Sequence, residues 1–253
     1  MSAETTIWIS IICIPLIAFL YASVGHGGAS GYLALMTIMG MSQATMKPTA
    51  LLLNILVSTI AFLYFWKAGY FKFRLFMLFA AGSIPFSFIG GMIETDPFIY
   101  KMILGIFLAI ATLKLIGVFD IQKKIKSESE SQSKSVNIYL AVLIGIVIGF
   151  FSGLIGIGGG IILSPVIILL GWGNLKESAA VSALFILVNS LSGFAGQLTT
   201  GVEFSTEIIM MAALAAFGGL CGAYYGTFKF NNTVLKKVLA CVLLFASIKL
   251  LIV

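Results

Sequence analysis

The sequence predicts an all-α polytopic membrane protein, two inverted repeats of about five membrane segments each, with a short half-helix after each of two Gly-rich breaks. Three observations carry that prediction. First, 60% of the 253 residues are hydrophobic and 9% charged, with a mean hydropathy of +1.13. Soluble domains hold about 45–50% apolar and about 25% charged residues, and a small domain leaves too much surface exposed to hide such an excess from water. Second, the apolar residues gather into ten stretches, most with the roughly 17–25 residues that a tilted membrane helix needs. Third, the two halves of the chain resemble each other.

In the first half the stretches are 7–24, 29–44, 48–66, 75–93 and 98–118; in the second they are 137–155, 158–173, 178–197, 208–228 and 234–253. Two are short, 29–44 and 158–173, and each follows on a glycine cluster, GHGG at 25–28 and GIGGG at 156–160. Between the halves runs DIQKKIKSESESQSKSV, 120–136, too polar to bury a core and therefore a solvated linker. The chain thus divides into a first membrane repeat (1–119), the linker (120–136) and a second repeat (137–253). At an offset of 131, Gly25, Gly27, Gly28 and Gly40 fall on Gly156, Gly158, Gly159 and Gly171. At an offset of 135, KMILGIFLAIATLKL (101–115) falls on KKVLACVLLFASIKL (236–250). Single Gly and Leu matches are cheap in a membrane chain; an ordered series with four residues of drift indicates internal duplication.

The basic residues set the orientation. With five segments per half and the N-terminus outside, twelve of the 15 basic residues fall at or near the cytoplasm, and Lys47, Lys101 and Lys249 fall outside. The 198–207 loop, with Glu203 and Glu207 but no base, is then external. Dropping one crossing per half would move Lys176, Lys229, Lys236 and Lys237 outside, so the positive-inside rule favours five plus five. The expected setting is the cell membrane, with both termini outside and the linker cytoplasmic. An odd number per half inverts the second repeat, as in many secondary transporters. Segments 7–24 and 29–44 either both span or form a re-entrant hairpin with GHGG at its tip. The net charge of +6 needs no nucleic acid to explain it. The start, MSAETT, lacks the basic residues of a cleaved signal peptide. Cys13, Cys221 and Cys241 all lie in apolar runs without ligand spacing, so they read as small core residues.

The glycine clusters carry the chemistry. Glycine lets the backbone turn sharply and approach a ligand, and non-helical backbone at membrane depth survives only where it is protein-buried or lines a wet cavity. Short helices starting after each cluster point free N–H groups and positive dipole ends at the break, which makes an anion site out of backbone. Close packing through small residues is the plainer alternative.

On these motifs, SVGHGGASGYLAL (23–35) and SGLIGIGGGIILSPVIILLGW (152–172), the sequence resembles the TauE/SafE sulfite-exporter family over essentially its whole length. The resemblance implies ATP-independent movement of sulfite, sulfate-like or organosulfonate anions. It carries over to Gly25, Gly27, Gly28, Gly156, Gly158, Gly159, Gly160 and Pro165; the first half has Ala34 at the place of Pro165, so the two short helices need not bend alike.

Around the breaks, the expected substrate-binding set is Gly25, His26, Gly27, Gly28, Ser30, Asn54, Gly156, Gly158, Gly159, Gly160, Ser164, Ser182 and Asn189. His26 is the only histidine; it either holds an anion or a coupled proton, or sits neutral on a carbonyl in the break. Asn54, Asn189 and Ser182 are buried polar groups that require partners, substrate oxygens or neighbouring helices. Ser30 and Ser164 lie on the short helices; Thr49, Ser58, Ser190 and Gln197 rank below them. Lys47 and Lys176 are expected to snorkel to water. The single arginine, Arg74, falls in a cytoplasmic loop, so no arginine fork grips the anion. All nine acids lie at segment ends or in loops, which leaves His26, a peripheral acid or the substrate itself to couple protons.

The sequence therefore points to a secondary permease for a small sulfur-containing anion, not an enzyme, with no cofactor or metal. Its expected partners are the anion, the bilayer, H+ or another coupling ion, and a second copy in a homodimer. A passive anion channel is the rival. An intramembrane serine protease is weaker: Gly28-Ala29-Ser30-Gly31 spells GxSG, but the second half reads Gly159-Gly160-Ile161-Ile162 there. GIGGGIIL lacks the Lys-Ser/Thr of a phosphate-binding loop.

Overall fold

The computed structural model describes residues 3–94, 96, 99, 102, 106, 136–200, 202, 204 and 207–229. They form eight helices and no strand: α1 (Ala3–Ser23), α2 (Ala29–Ile38), α3 (Gln43–Lys67), α4 (Phe73–Met92), α5 (Ile138–Ile155), α6 (Gly160–Leu170), α7 (Leu175–Leu198) and α8 (Ile208–Phe228). Five of these, α3, α4, α5, α7 and α8, are long and apolar enough to cross a membrane. The segments 98–118 and 234–253 and the linker lie outside the described residues, apart from isolated positions.

The helices follow the apolar stretches, except that both short stretches overrun their helices; the helix of 158–173 ends at Leu170, before Gly171 with a φ of 69°. Stretch 29–44 overran its helix, because Met39 and Met41 keep the run apolar where Gly40 takes a φ of 77° and ends α2. Helix α3 then begins earlier than its apolar stretch. Ser42 caps it by accepting from Thr45 N, so the polar first turn is helical as well. At the matching place Asn174 and Glu177 close a reciprocal capping box at the start of α7.

The bundle is apolar outside, and its largely apolar core encloses a set of buried polar side chains. Ser10, Thr49, Asn54, Ser83, Ser87, Ser182 and Asn189 are fully buried, while Trp8, Leu143, Ile209 and Phe217 are largely exposed. Large apolar side chains facing outward, with polar bonds kept inside, fit a lipid solvent, in which helices are held together by close contact and buried polar bonds.

Glycines set which helices touch. Gly145, Gly149 and Gly153 of α5 lie against the backbone of Phe79, Ser83 and Ser87 of α4. Gly218, Gly222 and Gly226 of α8 lie against Pro15, Phe19 and Ser23 of α1. In both ladders the residue numbers climb together, so α4 runs parallel to α5, and α1 to α8. Helix α4 also runs parallel to α7, through Ser83 with Asn189 and Ile84 with Ser192. Helices α3 and α7 are antiparallel: Asn54 bonds Ser190, while Phe65 packs on Ala179 and Ala180. The fourth helix of each half thus lies on the first and third helices of the other.

Candidate functional site

The two breaks share their first and last left-handed glycines and differ between them, where Gly158 has a φ of 72° and Gly27 has no positive φ. Gly25 and Gly156 both turn left-handed at the ends of α1 and α5, with φ of 77° and 84°. Gly28 and Gly159 both precede the short helices, with φ of 97° and 73° and no side-chain cap. The 10 residues of α2 and 11 of α6 rise only about 15–17 Å, roughly half of a hydrocarbon core about 30 Å thick. An added side chain is excluded twice over at Gly28, by the sign of φ and by the Tyr32 ring, whose hydroxyl lies 2.8 Å from the Cβ position.

The fold brings the breaks together. In the first, His26 N–H reaches Tyr21 O at 2.9 Å and Gly25 N–H reaches Ala22 O, a Schellman end to α1. That fixes the backbone of His26 and sends its ring across to the second half. There Nε2 lies 3.2 Å from Gly160 O and 3.2 Å from Ser164 Oγ. Ser164 Oγ donates onward to Ser182 Oγ at 2.8 Å, and Ser178 Oγ donates to Ser164 O. Asn54 is the second link. Its Oδ1 accepts from Ala29 N–H at 3.2 Å; its Nδ2 donates to Ile157 O at 3.3 Å and Ser190 Oγ at 3.0 Å. Asn54 also fills the space a side chain would need at Gly27 and at Gly158. Gly25 abuts Ala179 of α7, and reciprocally Gly156 abuts Lys47 of α3.

Twelve of the thirteen expected site residues therefore converge on one buried region. Asn189 stands apart. It donates to Ser83 Oγ at 3.0 Å and to Phe185 O, and its carbonyl accepts from Ser87 Oγ. These contacts join α7 to α4. Ser30, the serine of GxSG, is bonded to the Tyr21 hydroxyl at 2.7 Å, while the His26 ring nitrogen is engaged with Ser164 and Gly160. No Ser30–His26 pair exists to activate a nucleophile.

Lys47 departs from the snorkelling expectation. It is 4% exposed, and its ammonium donates to Gly91 O and Ile93 O at the C-terminal end of α4. Lys176 does the same for α8, donating to Thr227 O at 3.3 Å while lying over the Tyr70 ring. Cations at helix C-termini complement the carbonyls there. Sequence reasoning gave no weight to Tyr21, Tyr32 or Ser152, which line the breaks, and too little to Ser190. A polar side chain one turn from a cluster glycine was the available signal.

Interrupted helices meeting at the centre of an apolar-faced bundle define a multi-pass membrane protein with a polar heart. The comparisons narrow that class. A protein of Sinorhizobium fredii named "Probable membrane transporter protein y4hK" is 32% identical over 241 residues, 93% of this chain and 94% of its own. The Bacillus subtilis proteins named "Probable membrane transporter protein YjnA" and "YdhB" are 26% and 24% identical, with 96% and 90% of this chain covered and 99% and 92% of their own. No solved structure matches the chain. The chain belongs to the sulfite exporter TauE/SafE family, matching it over residues 10–250.

Proposed function

We propose that this membrane transporter carries a small sulfur-containing oxyanion, such as sulfite or an organosulfonate, by alternating access around the two Gly-rich breaks. The observation that carries the reading is the meeting of two short helices at equivalent left-handed glycines, Gly28 and Gly159, tied to each other through His26 and Asn54. The first N–H groups of each short helix precede its first intrahelical bonds, Tyr32 N–H to Gly28 O and Ile162 N–H to Gly159 O, although in α2 Asn54 Oδ1 already accepts from the first of them, Ala29 N–H. Such groups favour a negative charge. Two inverted repeats are supported by helix direction: α3 runs against α7, and each half's fourth helix lies on the other half's first and third. That exchange pattern is what a twofold axis in the membrane plane produces, and rocking one repeat against the other gives alternating access. In this scheme the linker is cytoplasmic, both termini are outside in the cell membrane, and H+ or another ion supplies the coupling.

The test is uptake of labelled sulfite into proteoliposomes, with counterflow. Saturable uptake stimulated by internal sulfite is expected, and Gly28→Leu or Gly159→Leu should abolish it in protein that still inserts and migrates as a single species. Retained uptake in both variants removes the breaks from the pathway. Unitary currents without counterflow would make the protein a channel.

A further inference from the structure

Among the described residues the hydroxyls of Tyr32, Thr49, Ser152 and Thr227 are buried without a hydrogen-bond partner, and two of these residues, Tyr32 and Ser152, pack against the N-cap glycines of the breaks, one at each. Tyr32, on α2, is 1% exposed, and its ring folds back over the N-cap Gly28. Ser152, in the last turn of α5, is fully buried, and its Cβ lies 3.4 Å from the Cβ position of the N-cap Gly159. The repeat does not dictate either hydroxyl. At the offset of 131, Tyr32 falls on Leu163, and Ser152 falls on Tyr21, whose own hydroxyl is engaged with Ser30. Helical hydroxyls normally bond a carbonyl one turn back, as Thr37 does with Leu33 O and Thr59 with Ile55 O. Ser152 makes no such bond. A buried, unpaired O–H costs stability, and here each belongs to a residue packed against the N-cap glycine of a helix start, which favours negative charge.

Taking the transport reading above as its basis, we infer that the Tyr32 and Ser152 hydroxyls donate hydrogen bonds to the transported oxyanion, one at each short-helix start. The ligand this arrangement would take is an oxyanion whose acceptor oxygens replace the missing partners. It is held by neutral O–H and N–H donors, since Lys47 passes Gly156 but delivers its ammonium to the end of α4.

Tyr32→Phe and Ser152→Ala test this in the full-length protein, by thermal melting with and without sulfite, sulfate, thiosulfate and sulfoacetate, and by sulfite uptake. Without ligand, both variants should melt at or above the wild-type temperature, because an orphan polar group has been removed. The sulfite KM should rise about tenfold or more in each, the loss typical of one hydrogen bond to a charged group. Wild-type KM in both variants overturns the inference, as does a lowered melting temperature with unchanged affinity, which marks a structural role. If Gly28→Leu abolishes uptake while both variants keep wild-type KM, only this inference falls. If the wild type neither binds nor moves any of the four anions, the transport reading falls and takes this one with it.

Discussion

Asn54 and His26 show how much one buried polar side chain can organise. Asn54 satisfies a backbone donor of the first break, a backbone acceptor of the second and the hydroxyl of Ser190. Leucine at that position would leave all three buried groups without that partner, at about 1–3 kcal/mol for each orphaned group. Asn54→Leu should therefore lower both the melting temperature and the affinity for sulfite. Asn189→Leu should lower the melting temperature and leave affinity within twofold, because its bonds run from α7 to α4. Equal loss of affinity in the two variants, read by ligand-induced melting shifts, would contradict that division. In sequence the two asparagines are indistinguishable, each a lone amide in an apolar run. Tyr32 and Ser152 were harder still to single out, because only burial without a partner separates them from ordinary packing residues.

At the scale of elements, the glycines do two different jobs. Those at the breaks permit left-handed turns; those in the ladders of α5 and α8 permit backbone contact. Along α1 and α8 the backbone of Pro15, Phe19 and Ser23 fills the places where Gly218, Gly222 and Gly226 lack side chains. Gly149→Val and Gly222→Val should each destabilise the bundle by about 1–3 kcal/mol through overpacking. Gly219→Ala is the contrast: its nearest neighbours are Val57 methyls at 3.3 and 3.4 Å. That substitution should stay within about 0.5 kcal/mol of wild type, since alanine also gains helix propensity. Equal melting of all three variants would remove the ladders from the account. The breaks were legible from sequence because runs of glycine in an apolar chain are conspicuous and recur at one offset. The glycine side of each ladder repeats every four residues in the sequence, but the partner helix was not legible, because neither Pro15, Phe19 and Ser23 nor Phe79, Ser83 and Ser87 form a glycine repeat. The end of α2 was misjudged because methionines surround the glycine that terminates it.

For the molecule as a whole, the class was readable from composition, since no arrangement of so apolar a chain is stable in water. The twofold exchange of helices was not readable, as it rests on which faces meet across the halves. It predicts that equivalent positions face opposite sides of the membrane. Ser42 and Asn174, the caps of α3 and α7, are such a pair. In a cysteine-free background, Ser42→Cys should react with an impermeant maleimide from one side and Asn174→Cys only from the other. Labelling of both from the same side would contradict inversion. The most direct test of the central claim is a structure of the protein determined with sulfite. The account predicts an anion between the breaks, its oxygens in hydrogen-bond range of first-turn N–H groups of α2 and α6 other than Ala29 N–H, which Asn54 holds. An anion bound elsewhere, with the His26 and Asn54 links between the breaks unchanged, would contradict it.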